Sequence, residues 1–99
     1  MVQILHKVHG PGNETVLAVC DKQLLGKTLE QGKICFEVSK GFYGGKAITA
    51  QELCRKIPEF DNINMVGNKA VGIALEKKLI RPESVMEIAG IKHVQVFKI

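Results

Sequence analysis

The residues with the clearest potential for chemistry lie between Asn62 and Lys69, where a short apolar segment passes through Gly67 into an amphipathic segment. The first amides of a helix have no partner within the helix, so anions bind there, and glycine lets a ligand approach the backbone. The sequence therefore predicts an anion-binding site at Gly67 and Asn68. Lys69 would supply charge and Asn64 a side-chain hydrogen bond. The alternative is an ordinary turn from strand to helix.

A second candidate site is segment 39–46, which contains three glycines, two lysines and two adjacent aromatic residues. Phe42 and Tyr43 offer aromatic rings on which unpaired bases can stack. Lys40 and Lys46 flank these rings and can contact phosphates. The alternative is that one ring fills the core while the glycines shape a turn.

The sequence gives weak support for metal binding and for nucleophilic catalysis. We therefore predict no catalytic residue, metal or cofactor, and we leave enzymatic activity open. The odd number of cysteines and the lack of a Cys-x-x-Cys pair predict buried free thiols. These cysteines are Cys20, Cys35 and Cys54. The histidines meet only if the terminal strands pair; they are His6, His9 and His93.

The elements that must position these residues are strands near both ends and helices between them. Residues 2–8 and 15–20 form a predicted hairpin, residues 33–38 a half-buried third strand, and residues 26–32 a loop. Further strands are predicted at 85–88 and 93–99. In this last strand the apolar positions change phase, so either both of its faces are covered or it contains a bulge.

Two helices follow from local signals. Thr49 and Glu52 have the spacing of a capping box, and Pro58 ends that first helix. Asp21 is predicted to cap a brief turn through Leu24 and Leu25. The second helix has an apolar stripe formed by Ala70, Val71, Ala74 and Leu75.

This order of elements predicts an α+β fold, with a mixed sheet of about five strands and two helices packed on one face. Parallel pairing around the central helices is the alternative. We expect one domain over residues 1–99. The predicted helix residues in the core are Leu53, Ile57, Val71, Ala74 and Leu75, and the predicted sheet residues are Val16, Ala18, Ile34, Phe36 and Val96.

The chain has 99 residues, 45% of them hydrophobic, and a formal net charge of +4. Its longest apolar runs are far shorter than the roughly 20 residues needed to span a bilayer, so we expect a cytoplasmic protein without a membrane partner. The basic excess is compatible with RNA or acidic proteins as partners, although the lysines are scattered along the chain.

Four motifs in this order resemble a small archaeal family of unknown function. They are Asp21 with Leu24-Leu25-Gly26-Lys27, then Phe42-Tyr43-Gly44-Gly45, then Ile63-Asn64-Met65-Val66-Gly67 with Ala70-Val71, and Ile88-Ala89-Gly90-Ile91 with His93 and Gln95. The resemblance covers almost the whole chain. It implies an archaeal cytosolic protein with a loose tie to translation, and it implies no established activity or ligand set.

Three function classes remain. The first is a small RNA- or ribosome-associated binding module, which the charge, the aromatic loop and the family resemblance favour. The second is a protein–protein adaptor in which exposed Phe42 or Tyr43 anchors a partner. The third is an enzyme that binds a small phosphate ligand around Gly67 and Lys69.

Overall fold

The computed structural model of the protein describes residues 3–11 and 15–97. The strands are β1 (Ile4–His9), β2 (Val16–Asp21), β3 (Thr28–Gln31), β4 (Ile34–Glu37), β5 (Lys46–Ile48), β6 (Asn62–Val66), β7 (Val85–Ile88) and β8 (Ile91–Phe97). The α-helices are α1 (Lys40–Tyr43), α2 (Ala50–Lys56) and α3 (Asn68–Glu76). Single 3-10 turns cover Lys22–Leu24, Ile57–Glu59 and Pro82–Ser84.

Six strands form one mixed sheet in the order β5-β1-β2-β6-β8-β7, and β3 and β4 form a separate hairpin. The central pair β2–β6 is parallel, whereas the other pairs in the sheet are antiparallel. The predicted α+β class with a mixed sheet and two helices on one face is therefore confirmed, with six strands in the sheet. None of the helices in the described residues is long and apolar enough to cross a bilayer.

One face of the sheet, here called the helix face, packs against α2 and α3. The predicted stripe on α3 is confirmed for its first three residues, while Leu75 is only partly buried. Leu53 and Ile57 fill the space between α2 and the sheet. The capping box is also confirmed, because Thr49 Oγ1 accepts from the amide of Glu52 and the Glu52 carboxylate accepts from the amide of Thr49.

The opposite face, here called the hairpin face, is covered over part of its area by the β3–β4 hairpin and α1. The buried residues of this second core are Leu5, Ala18, Cys20, Leu24, Leu29, Val38, Tyr43, Val66 and Ile88. The hairpin and α1 do not reach every row of the sheet. At the start of β2 and of β6 and at the end of β8, the side chains on this face are therefore half-buried or exposed.

The predicted sheet core was right for Val96, which packs against the helix-face core, and wrong in its choice of face on β2. Leu17 and Val19 face the helices, whereas Ala18 packs on the hairpin face. The strand β2 is buried on both faces, so its apolar run gives no alternation from which a face could be chosen. Phe36 also lies on the hairpin side, and Ile34, on the separate hairpin, is 43% exposed.

Residues 26–32, predicted as a loop, include the strand β3. Leu29 is the only buried residue of β3, so the apolar signal for a strand was weak there. The strand β8 pairs with β6 without interruption from Asn62–Phe97 to Val66–His93, so the predicted bulge is absent from this pairing. Phe97 is exposed, so the alternative, in which both faces of the strand are covered, does not hold at that residue. Residues 2, 98 and 99, which the predicted strands included, lie outside the described residues.

The cysteines differ from the prediction of three buried thiols. Cys20 is buried, Cys54 is half-buried and Cys35 is exposed on β4. Burial, and to a smaller extent the charge of Asp21, raises the pKa of Cys20 to about 11. A thiol with this pKa remains protonated and unreactive at neutral pH.

Candidate functional site

The N-terminus of α3, where an anion site was predicted, holds a carboxylate of the protein itself. Asp21, at the end of β2, is 1% exposed. Its Oδ2 accepts from the amide of Lys69 at 3.0 Å and its Oδ1 from the amide of Ala70 at 2.9 Å. Gly67 has φ +126°, and a Cβ at that position would lie 2.6 Å from Asp21 Oδ2. The glycine therefore makes room for this carboxylate.

This arrangement corrects the predicted role of Asp21, whose side chain makes no capping bond to the adjacent 3-10 turn. Asn68 is also engaged, since its Oδ1 accepts from the amide of Lys92 at 2.9 Å and its Nδ2 donates to Gly90 O at 3.3 Å. An external anion at Gly67 and Lys69 would have to displace Asp21. Anion binding there stays a prediction.

The aromatic pair lies on α1 instead of an extended loop. The amide of Phe42 donates to Ser39 Oγ at 3.3 Å, which caps this single helical turn. Both rings pack on the hairpin face, whereas an extended segment would send neighbouring side chains to opposite sides. Tyr43 is 2% exposed, so Phe42, which is half-buried, is the ring of the pair that a ligand can reach.

Phe42 is stacked on His9 of β1, with ring centroids 4.7 Å apart and an interplanar angle of 7°. His9 Nε2 donates to the carbonyl oxygen of Phe42 at 2.6 Å. Lys7 Nζ donates to the carbonyl oxygen of Gly41 at 2.9 Å, which places an ammonium group beside the same helical turn. Strand β1 thus fixes α1 through one aromatic and two polar contacts.

A polar cluster lies beside this stack at the centre of the hairpin face. The Tyr43 hydroxyl donates to Asn64 Oδ1, and His93 Nε2 lies 3.3 Å from the same oxygen. A hydrogen bond from His93 to this carbonyl oxygen requires the tautomer with the proton on Nε2. Phe36 contacts both partners, with ring centroids 4.7 Å from His93 and 6.4 Å from Tyr43. Burial raises the Tyr43 pKa, so the hydroxyl keeps its proton.

Burial of His93 leads to a pH prediction. Desolvation lowers its pKa below the ordinary value of 6.5. The unfolded state then binds a proton more readily than the folded state. The contribution of neutral His93 to the free energy of unfolding is therefore fully present above pH 6.5 and is lost as the pH falls toward the folded pKa. Urea unfolding at pH 7.5 and 5.5 should show this loss, and His93→Gln should reduce the difference. An equal pH dependence in both proteins would contradict the assignment.

Beyond this cluster the hairpin face carries half-buried and exposed side chains, and we call this region of the described residues the open strip. It is formed by His9, Val16, Asn62, Asn64, Gln95 and Phe97. Asn62 is paired with Phe97 across β6 and β8, and Asn64 with Gln95. Phe97 is 69% exposed. The Oδ1 atom of Asn62 is buried and has no hydrogen-bond partner within the described residues.

The structure thus brings Phe42, Tyr43 and Asn64 together and places Lys40 on the same helical turn. Lys46 is separated from them. Lys46 is paired with His6, and Ile48, two residues further on, is paired with Ile4 in the helix-face core. Lys46 therefore lies on the helix face. The remaining predicted residues are Gly67, Asn68 and Lys69, which lie at the β6–α3 junction.

Sequence reasoning missed His9, Asn62, His93, Gln95 and Phe97 as members of one surface. The available signal was alternation. Polar residues alternate with Ile63 and Met65 on β6, and with Val94 and Val96 on β8. This pattern indicates that each strand has buried apolar side chains on one face of the sheet and polar side chains on the other. The sequence does not indicate that the polar side chains of the two strands are adjacent.

Comparison with known proteins agrees with the resemblance. Residues 9–99 match the model of a family described as a protein of unknown function, DUF424. A crystal structure of an uncharacterized conserved protein from Methanopyrus kandleri superimposes with a TM-score of 0.77 at 29% sequence identity, over 98% of this chain and 94% of that one. No curated protein matches the chain.

Proposed function

The chain belongs to the DUF424 family of proteins of unknown function, and we propose that it is an RNA-binding module that holds single-stranded RNA on the open strip. The observation that carries the proposal is a 69% exposed Phe97 on the hairpin face, beside the amide side chains of Asn62 and Gln95. Bases stack on exposed aromatic rings, and amides bind the base edges. An open sheet with aromatic residues on its central strands is a known platform for RNA.

Charge on and beside α1, the helix that carries Phe42, supports the proposal. Lys7 and Lys40 lie on or beside α1, and neither forms an ion pair with a carboxylate in the described residues. Lys40 extends over Gly26, with its Cε 2.9 Å from the position that a Cβ would take there. Ammonium groups beside a stacking surface favour the phosphates of an RNA strand. The net charge of +4 acts in the same direction.

A salt titration tests this proposal. Affinity for a single-stranded RNA should fall as salt rises, because phosphate contacts release counterions. Lys40→Ala should reduce the slope of log affinity against log salt by about 0.7, the value for one phosphate contact on a single strand. Lys46→Ala is the matched control, since it removes an exposed lysine from the helix face and should leave the slope unchanged. Fluorescence anisotropy at four salt concentrations measures both.

The same assay separates RNA binding from a protein adaptor, the second candidate. Two exposed apolar side chains on the hairpin face, Phe97 at 69% and Met86 at 55%, favour an adaptor. Stacking on RNA requires the ring of Phe97, which is worth about 1–3 kcal/mol per base, and not Met86. Phe97→Ala should therefore weaken RNA binding while Met86→Ala should not. Absence of RNA binding at low salt would overturn the proposal.

A test with cellular material addresses the ribosome and protein partners. Copurification from an archaeal lysate, before and after nuclease treatment, should recover ribosomal or other RNA only in the untreated sample. Recovery of the same proteins from both samples would favour the adaptor. An enzyme acting on a phosphate ligand at Gly67 and Lys69 is less supported, because Asp21 accepts from the amides of Lys69 and Ala70.

A further inference from the structure

We propose that the open strip selects bases with a keto oxygen, uracil and guanine, over bases with an amino group at the same position, cytosine and adenine. The selecting group is the side-chain NH2 of Asn64, which its neighbours turn outward as a fixed donor. This inference rests on the proposed RNA binding and adds the class of base that is bound. It depends on hydrogen-bond direction within the Asn64 cluster.

The amide oxygen of Asn64 is directed into the protein. It accepts from the Tyr43 hydroxyl and from His93 Nε2. The Nδ2 atom of Asn64 has no hydrogen-bond partner in the described residues. It is also not an enclosed atom, since Asn62 Oδ1 is the one enclosed and unpaired side-chain polar atom there. Nδ2 is therefore an unpaired donor with some exposure to solvent.

The two donors that fix this orientation are themselves held in place. Tyr43 is 2% exposed and makes an edge contact with Phe42, at a centroid distance of 4.9 Å. His93 packs against Phe36. Rotation of the Asn64 amide by half a turn would remove the acceptor from the buried Tyr43 hydroxyl, which no other described residue replaces. A buried donor without an acceptor is costly, so the amide keeps its NH2 outward.

The chemistry of the bases gives the selectivity. Uracil and guanine have a keto oxygen where cytosine and adenine have an amino group, and this oxygen accepts a hydrogen bond whereas the amino group donates one. Where that position of the base faces Asn64, a fixed NH2 pairs with the oxygen and opposes the amino group. Gln95, opposite Asn64 on β8, is exposed and makes no hydrogen bond in the described residues. It can turn either end toward a base and does not select.

The experiment compares labelled octamers of uridine and of cytidine, which differ at the selected position, at one salt concentration. Wild-type protein should bind the uridine octamer about two- to tenfold more tightly, the range for one hydrogen bond gained. Asn64→Asp keeps the inward oxygen and replaces the outward NH2 with an oxygen. It should remove or invert the ratio. Gln95→Glu adds the same charge on the neighbouring strand and should weaken both octamers while the ratio is retained.

Tyr43→Phe tests the positioning role without changing any atom that faces the ligand. It retains the ring and its packing but removes one of the two donors that hold the amide oxygen of Asn64, so the ratio should fall while binding persists. It also serves if Asn64→Asp fails to fold, which thermal unfolding reports. Equal affinity of the wild-type protein for both octamers, or an unchanged ratio in these two variants, overturns this inference and leaves RNA binding in place. No binding of either octamer overturns both proposals.

Discussion

Replacement of Asp21 by alanine is expected to lower the free energy of unfolding by about 2–5 kcal/mol, because it leaves two amides at the start of α3 without an acceptor. These are the amides of Lys69 and Ala70, and Ala70 is fully buried. Urea denaturation followed by circular dichroism measures the change.

Asp61→Ala is the matched control for this variant. Asp61 is an exposed aspartate just before β6, so its replacement should change stability by no more than about 0.5 kcal/mol. Equal effects of the two substitutions would show that the Asp21 carboxylate does not stabilise α3.

Formate extends the same test to the predicted anion site. If Asp21 fills a place that suits an anion, a small carboxylate should bind the freed amides in Asp21→Ala and raise its stability. Wild-type protein should not respond, because its own carboxylate occupies that place. Sodium chloride at the same ionic strength controls for screening. A response by neither protein would leave the junction as a structural turn.

The contrast between Thr49 and Asp21 shows which helix caps can be predicted from sequence. The capping box of Thr49 and Glu52 lies within four residues, so the spacing alone identified it. Asp21 caps a helix 48 residues further along the chain. Its local sequence also allowed a cap on the next turn, and only the parallel pairing of β2 with β6 brings it to α3.

The same division between local and long-range information explains the predicted core. The helix residues were correct because a stripe of period 3.6 identifies one face of a helix. The residues chosen on β2 were on the wrong face, since every residue from Leu17 to Cys20 is buried. For such a strand, the choice of face depends on where the helices pack, and its own residues do not determine it.

For the candidate site, sequence reasoning found residues that are close along the chain. Phe42 and Asn64 were predicted as parts of two separate sites, and the structure unites them through Tyr43. The pairing of β6 with β8 then adds Gln95 and Phe97. These pairs depend on strand order, which the sequence did not determine.

Replacement of Gly67 by alanine is expected to destabilise the protein by about 3 kcal/mol or more, through two separate causes. A residue other than glycine is strained at φ +126°. In addition, the new methyl group would overlap the Asp21 carboxylate and disturb its two hydrogen bonds. Gly72→Ala is the matched control. Gly72 lies within α3 with open space where a Cβ would stand, so this change should stabilise by about 0.5–1 kcal/mol.

A double-mutant cycle distinguishes the two causes. With Asp21 already replaced by alanine, the new methyl group of Gly67→Ala has no carboxylate to displace, so only the backbone strain of about 1–3 kcal/mol remains. The cost of Gly67→Ala should therefore be smaller in the Asp21→Ala background than in the wild-type protein. Urea unfolding of the four proteins gives the coupling. Additive costs would mean that Gly67 is required for its backbone conformation alone, and that the close approach of Asp21 imposes no further demand for glycine.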